Sequence, residues 1–175
     1  MNNAVLRTWQ ISDVDSLVKY ANNAHISNML MDRFPHPMTE VNAIEFIENA
    51  NKLNPALILA ISIDGIASGG IGIHPQEDIF HKNAELGYWI AEDHWGKGLM
   101  TKLVKEMCDY VFLNFPTERI FARPFGSNIA SQRVLEKNGF VFEAKLKQTI
   151  FKNNQYEDEM IYSIRRPSLK NPSST

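Results

Sequence analysis

The chain has 175 residues, enough for one domain with a proper core and too few for two comfortable ones. Hydrophobic residues make up 44% and charged residues 22%, and the formal net charge of -2 argues against a nucleic-acid binder that depends on a broad basic face, though not against a local cationic pocket. The single cysteine, Cys108, excludes an intramolecular disulfide and a cysteine-only zinc cage, and no stretch approaches the ~18 apolar residues of a membrane span, so a cytoplasmic protein is expected.

In chain order, AVLRTW (residues 4–9) reads as an opening strand. SDVDSLVKYANNA follows as a helix, with Ser12 as its cap and an apolar stripe of Leu17, Val18, Tyr20 and Ala21. His25 to Met38 is expected to be irregular. A second helix starts at the cap Thr39 and repeats apolar residues at 43, 44, 47 and 50. ALILAISID and GIASGGIGIHP are strands of a hairpin turning at Asp64-Gly65, and AELGYWIA is a further strand after a polar loop. Met100, Leu103, Val104, Met107, Val111 and Phe115 recur at helical spacing, with Lys102, Lys105, Glu106 and Asp109 toward water and Pro116 as the stop. Cys108 sits inside this pattern and is expected to be a buried thiol.

RIFARP is a short strand. SNIASQRVLEKNGF is a short helix, with Ser127 or Asn128 at its cap and Gly139 in the stop position. FVFEAKLKQTIFKNNQYEDEMIYSI gives two strands joined at Asn153-Asn154. Residues 167–175 are a polar tail, expected to be flexible. With no repeat and no linker, this order predicts one mixed α/β (α+β) domain over residues 1–166, a sheet of about six or seven strands with helices on both faces.

The stretch HWGKGLMTK (residues 94–102) places Gly96 and Gly98 between a strand and a helix. First-turn N–H groups have no intrahelical partner, and the helix dipole adds positive potential, so this is a backbone anion site suited to phosphate. Gly98, Leu99, Met100 and Thr101 would supply the N–H groups. A P-loop is excluded, because Gly-Lys at 96–97 is followed by Gly98 and the earlier glycine position holds Ala91. A dinucleotide fingerprint fails at Thr101 and lacks its acidic residue. A plain helix entry with turn glycines and no ligand is the alternative for this stretch alone.

Three linked segments, ELGYWIAEDHWGKGLMTK, RIFARPFGSN and NIASQRVLEKNGF, together resemble the GNAT N-acetyltransferases, and within them the RimJ/RimL-type ribosomal-protein branch. The likeness runs from about residue 5 to 165 and is most specific over 85–140. The family's pyrophosphate loop maps onto Trp95, Gly96, Lys97, Gly98, Leu99 and Met100, with Trp in place of the usual Gln/Arg and Met in place of the last small residue. The resemblance implies acetyl-CoA as cosubstrate and a mostly antiparallel, twisted and splayed sheet. It implies that the strand GYWI offers backbone groups of Tyr88, Trp89 and Ile90 to the pantetheine arm. It also implies that Asn128 bonds pantetheine while capping its helix.

For the chemistry, Glu85 is the candidate base that takes the amine proton, and a backbone N–H near Tyr88 or Trp89 is the candidate oxyanion donor. Many relatives carry a Tyr seven residues after the Asn of the last helix; here that position is Leu135. Ser131 shares the face of Asn128 and Leu135 and is the candidate hydrogen-bond donor to the departing sulfur. Arg133 and Lys137 could meet the 3′-phosphate of CoA, against the alternative of a solvated helix face. Glu92 and Asp93 read as surface charges. Met29, Met31, Phe34 and Phe46 read singly as core, although they come from the region that borders the acceptor site in the family. The five histidines share no ligand face, so no metal is expected. The expected function is acetyl transfer to a primary amine, a protein N-terminus or a small molecule, in a ternary complex. A non-catalytic CoA-binding sensor or scaffold is the alternative, and a nucleotide or sugar-phosphate binder a third reading. Homodimers are frequent in the family, and no feature of the sequence fixes an interface.

Overall fold

The computed structural model describes residues 3–167, so the expected flexible tail lies outside the described residues apart from Pro167. The elements are β1 (Ala4–Arg7), α1 (Val14–Ala21), α2 (Ala24–Ser27), α3 (Glu40–Ala50), β2 (Ile58–Ile63), β3 (Ile66–Pro75), β4 (Asn83–Ile90), α4 (Leu99–Asn114), β5 (Arg119–Ala122), α5 (Ile129–Lys137), β6 (Val141–Lys152) and β7 (Gln155–Arg165). The seven strands form one sheet in the order β1-β2-β3-β4-β5-β7-β6, antiparallel throughout except for the β4–β5 pair.

Local chemistry sets most boundaries. Asp64 and Gly65 both have positive φ (49° and 90°), as do Asn153 and Asn154 (51° and 60°), and two such residues in a row match the twist of a tight hairpin. The Thr39 hydroxyl accepts from the N–H of Asn42 at 3.2 Å and starts α3. Asn128 Oδ1 accepts from the N–H of Ser131 at 3.0 Å and starts α5, and Gly139 at φ 79° ends it. Phe115 has left α4 for an extended conformation (φ -129°), so the helix closes one residue before the apolar repeat does. Three residues of the expected irregular segment, with Ala24 before them, form the short helix α2, capped by Asn23, whose side chain accepts from the N–H of His25 at 2.8 Å.

Ser12 does not cap α1. Residues Ile11–Asp13 make a turn of 3-10 helix, and Asp13 takes the N–H of Gln10 at 2.9 Å. Asp13 is 6% exposed and accepts both nitrogens of the Arg7 fork at 2.7 and 2.8 Å. Burial pushes its carboxyl up, but the hydrogen bonds from Arg7 and Gln10 outweigh this and hold it below the ordinary carboxylate value. Arg7→Ala leaves that carboxylate buried without its charge partner and is expected to cost about 3 kcal/mol at neutral pH. The pair's stabilisation is full above the ordinary carboxylate pKa of ~4 and fades as pH falls through the lower folded value. Urea unfolding of wild type and variant should therefore differ at pH 7 and converge in stronger acid.

Two apolar clusters cover the two faces of the sheet. One joins Leu103, Val104, Met107 and Val111 of α4 and Leu135 of α5 to Ile71, Ile73, Leu86, Ile90 and Ile120; Cys108 is buried in it. The other joins Leu17 of α1 and Ala43 and Ile47 of α3 to Trp9, Ala60 and Trp89. Alternation along a strand explains the split, since Leu86 and Ile90 face one layer and Trp89 the other. No helix among the described residues is long and apolar enough to cross a membrane, and no group of His, Cys, Asp or Glu among them is placed to hold a metal ion.

Candidate active site

Pairing between β4 and β5 begins at Asn83–Arg119 and stops at Glu85–Phe121. Beyond that point β5 continues with β7, while β4 runs on through Tyr88, Trp89 and Ile90 paired only to β3. The sheet therefore opens in the middle, and both cavities described below reach this opening.

The first cavity, about 860 Å³, lies at the N-terminal ends of α4 and α5. Gly98 sits ahead of α4 at φ 74° and ψ 0°, and Gly96 has φ 71°. These are left-handed conformations that cost an L-residue 1–2 kcal/mol, and glycine adopts them freely. The N–H of Lys102 already reaches the carbonyl of Gly98, so the helix leaves the N–H groups of Leu99, Met100 and Thr101 for a ligand. The Trp95 indole N–H bonds the carbonyl of Ile90 at 2.8 Å and ties the loop to the end of β4. Gly96, Gly98, Leu99, Met100 and Thr101 line the cavity on one side, and Asn128, Ser131 and Val134 on the other. Tyr88, Trp89, Ile90 and Trp95 complete the wall. Lys97 does not line it; its ammonium turns back to the carbonyl of Asp93 at 2.8 Å. Arg133 and Lys137 both reach this lining, so their helix face is not merely solvated. Glu92 is more than a surface charge, for it accepts from Asn23 at 2.6 Å and meets His25 Nδ1 at 3.1 Å, joining α2 to the turn before α4.

The second cavity, about 430 Å³, lies over a strip without side chains: Gly70, Gly72 and Gly87. A Cβ on Gly70 would come within 3.0 Å of Trp89 Nε1, and one on Gly72 within 3.2 Å of His74 Nε2, so the groove floor depends on their absence. Met29, Met31, Phe34 and Phe46 all line this groove; Met29 and Met31 are exposed there, while Phe34 and Phe46 also pack against the core cluster of Trp9 and Trp89, as expected of core residues. Phe34 packs edge-on to Phe46 (5.9 Å) and tilted to Trp89 (5.7 Å). Glu85 lines it too, opposite His74 in the β3–β4 register. Burial, with help from the Arg33 charge, holds His74 below its ordinary value despite the opposing pull of Glu85, so the imidazole is neutral at pH 7. Arg33 and Arg123 also line the groove, and Arg123 is paired to the buried Glu159.

Tyr88, Trp89, Asn128 and Ser131 line both cavities, together with Met29 and Leu30. The Tyr88 hydroxyl lies 2.9 Å from Ser131 Oγ and 3.2 Å from the Ser131 carbonyl oxygen. Leu135, one turn farther along α5, is fully buried and offers no polar group. Of the residues picked out from the sequence, all but Lys97 thus fall on one or both cavities. Sequence reasoning missed His74, Arg33, Arg123 and the hydroxyl of Tyr88. Counting back from a β3–β4 turn would have set His74 beside Glu85; nothing local signals the two arginines. Physically, the site combines open helix N–H groups and cations in one chamber with a carboxylate and a neutral imidazole in the next.

Among solved structures, RimL, titled a ribosomal L7/L12 alpha-N-protein acetyltransferase in complex with coenzyme A, superposes with a TM-score of 0.81 at 21% identity, covering 93% of each chain. At that identity the likeness is one of fold. By sequence, the chain is 36% identical over 99 residues to the Bacillus subtilis (strain 168) "Uncharacterized N-acetyltransferase YoaA", a match covering 57% of this chain and 55% of that one. It is 31% identical over 83 residues to the "Ribosomal-protein-serine acetyltransferase" of Escherichia coli (strain K12), covering 47% and 46%. These matches span about half the length of the curated relatives. The profile of the acetyltransferase (GNAT) domain, however, matches residues 3–141, and with most of the sequence accounted for in this way the chain belongs to the GNAT acetyltransferase family.

Proposed function

We propose that the chain transfers the acetyl group of acetyl-CoA to a primary amine by direct attack in a ternary complex. The observation that carries this reading is the meeting of the two cavities where β4 and β5 part, at Tyr88, Trp89, Asn128 and Ser131. One chamber has the helix-terminus chemistry of a diphosphate cradle, and the other holds a base. The N–H groups of Leu99, Met100 and Thr101 would grip the diphosphate, and Arg133 and Lys137 would face the remaining phosphate. Gly96 and Gly98 let the chain close around it, since both hold the positive φ (71° and 74°) that the turn needs. When bound, acetyl-CoA supplies the thioester.

Glu85 accepts the proton that an ammonium must lose before nitrogen can attack, with His74 beside it as the second group able to do so. A backbone N–H of the open strand near Trp89 stabilises the oxyanion. The C–N bond forms, the nitrogen sheds its second proton to solvent, the C–S bond breaks, and the thiolate leaves against the hydroxyl of Ser131. A thiol with a reference pKa of ~8.5 needs only that hydrogen bond, so the serine need not ionise.

The groove's charge favours an amine with apolar surroundings over a polycation. Glu85 is the one carboxylate on its lining among the described residues, and Arg33 and Arg123 stand beside it. The aromatic wall of Phe34 and Phe46 supports a polypeptide N-terminus as acceptor, in keeping with the RimJ/RimL-type branch. Two measurements test the proposal. Calorimetric titration with CoA should show micromolar to low-millimolar binding. Thiol release from acetyl-CoA should then rise with peptides bearing a free N-terminus more than with polyamines. Silence in the titration would end the reading, CoA binding without turnover on any amine would leave only a binding module, and a preference for spermidine would overturn the acceptor class.

A further inference from the structure

We infer that Tyr88 is a positioning residue for this acetyl transfer: its phenol donates to Ser131 Oγ and so turns the serine proton toward the junction where the thiolate departs. The inference rests on the N-acetyltransferase reading above. It starts from a contact between residues 43 apart in sequence, the 2.9 Å separation of the two hydroxyls. Either oxygen could donate across that distance, and three features choose between the directions.

First, Ser131 is held by its backbone: its N–H is taken by Asn128 Oδ1 at 3.0 Å, and its place on α5 sets Oγ beside both cavities. Only the hydroxyl rotor is free, and a serine hydroxyl in a helix otherwise turns to the carbonyl one turn earlier. A donor on one side of Oγ occupies a lone pair there, so the serine's own proton points away from the phenol and is left to donate elsewhere. Second, the phenol has two acceptors in reach, and Oγ at 2.9 Å is nearer than the carbonyl oxygen at 3.2 Å. Third, burial pushes the Tyr88 phenol well above its ordinary value, against a smaller opposing pull from the bond to Ser131. The group therefore stays protonated throughout the neutral range. It is a fixed neutral donor, and a poor acid.

The position matters because the α5 site where many family members carry a tyrosine is Leu135 here, fully buried. A phenol reaches the junction of the two cavities from β4 instead, and it acts through the serine. No proton leaves either hydroxyl for good: one ammonium proton goes to the base before attack, the nitrogen sheds its second to solvent once the C–N bond has formed, the C–S bond breaks, and the thiolate departs hydrogen-bonded to Ser131.

The test is a double-variant cycle on thiol release, with CoA affinity and melting temperature measured for each protein. Tyr88→Phe removes one oxygen and keeps the ring, so CoA binding should stay within about twofold while kcat falls about tenfold, the worth of one such hydrogen bond. Ser131→Ala should fall about as far, and the double variant should fall no further than Ser131→Ala alone. Ser131→Thr, which keeps the hydroxyl, should restore most of the rate and stay sensitive to Tyr88→Phe. Losses that multiply in the double variant, or a Tyr88→Phe rate equal to or above wild type, would overturn the assignment, the latter because it means that serine donates to tyrosine. Wild-type protein that binds no CoA and releases no thiol would overturn the transferase reading and this inference with it, whereas normal wild-type turnover with multiplying losses would overturn this inference alone.

Discussion

Glu85→Gln is expected to lower turnover at pH 7 by at least about a hundredfold while CoA affinity changes by less than about twofold. Glu85 is the last residue of β4 paired to β5, so its backbone is fixed by neighbours on both sides while its side chain lines the second cavity, the proposed acceptor groove, and not the first. Glutamine keeps the shape and most of the hydrogen bonds but cannot take a proton. Loss of rate with intact binding is therefore the signature of a base, and a parallel rise in KM for CoA would point instead to a damaged cradle. His74 makes the experiment sharper. It stands opposite Glu85 in the ladder and is neutral at pH 7, so it is the other group able to accept the proton. If Glu85→Gln keeps the wild-type rate with a good acceptor and His74→Gln loses it, the base is the imidazole. If both lose rate, the pair acts as a unit.

Gly98→Val is expected to weaken CoA binding by about a hundredfold or more, measured by calorimetry. At φ 74° a β-branched residue is strained, and the chain relieves the strain by moving φ to negative values. That rotation swings the N–H groups of the first turn of α4 away from their common focus. Each charge-assisted hydrogen bond to an anion is worth ~1.5–3 kcal/mol, so losing two accounts for the predicted factor. A Cβ here would meet nothing within 4 Å, so the cause is the backbone and not a collision within the fold. Melting temperature should therefore change far less than affinity. Gly98→Ala, with a smaller backbone penalty, should fall between the two. Unchanged affinity in the valine variant would show that the diphosphate is held elsewhere.

These two predictions concern features of different legibility. The cradle is spelled out by residues 95 to 101 in a row, because a positive φ and an uncapped helix start are both local properties. The base was picked from the sequence by family likeness, and its setting beside His74 follows only from strand register. The same division explains the errors. Ser12 looked like a cap because it precedes an apolar stripe, but the chain enters α1 through a 3-10 turn in which the Asp13 carboxylate turns back to Arg7 and the N–H of Gln10, and no side chain caps the helix. Met29 and Met31 looked like core because composition alone cannot tell a buried wall from the wall of a groove, whereas Phe34 and Phe46 do pack on the core and line the groove as well. Lys97 sits inside the loop motif, yet its flexible stem carries the ammonium back to the carbonyl of Asp93.

What the sequence determined by itself is therefore what neighbours within about five residues can enforce. That includes the turns at Asp64-Gly65 and Asn153-Asn154, the caps at Thr39 and Asn128, the stop at Gly139, and the glycine loop ahead of α4. The tertiary structure decided the parting of β4 from β5, the floor of Gly70, Gly72 and Gly87, and the contact of Tyr88 with Ser131. Each of these depends on which strand pairs with which and at what register, and that choice is made by burying two apolar layers at once, a property of the whole chain that no short window contains.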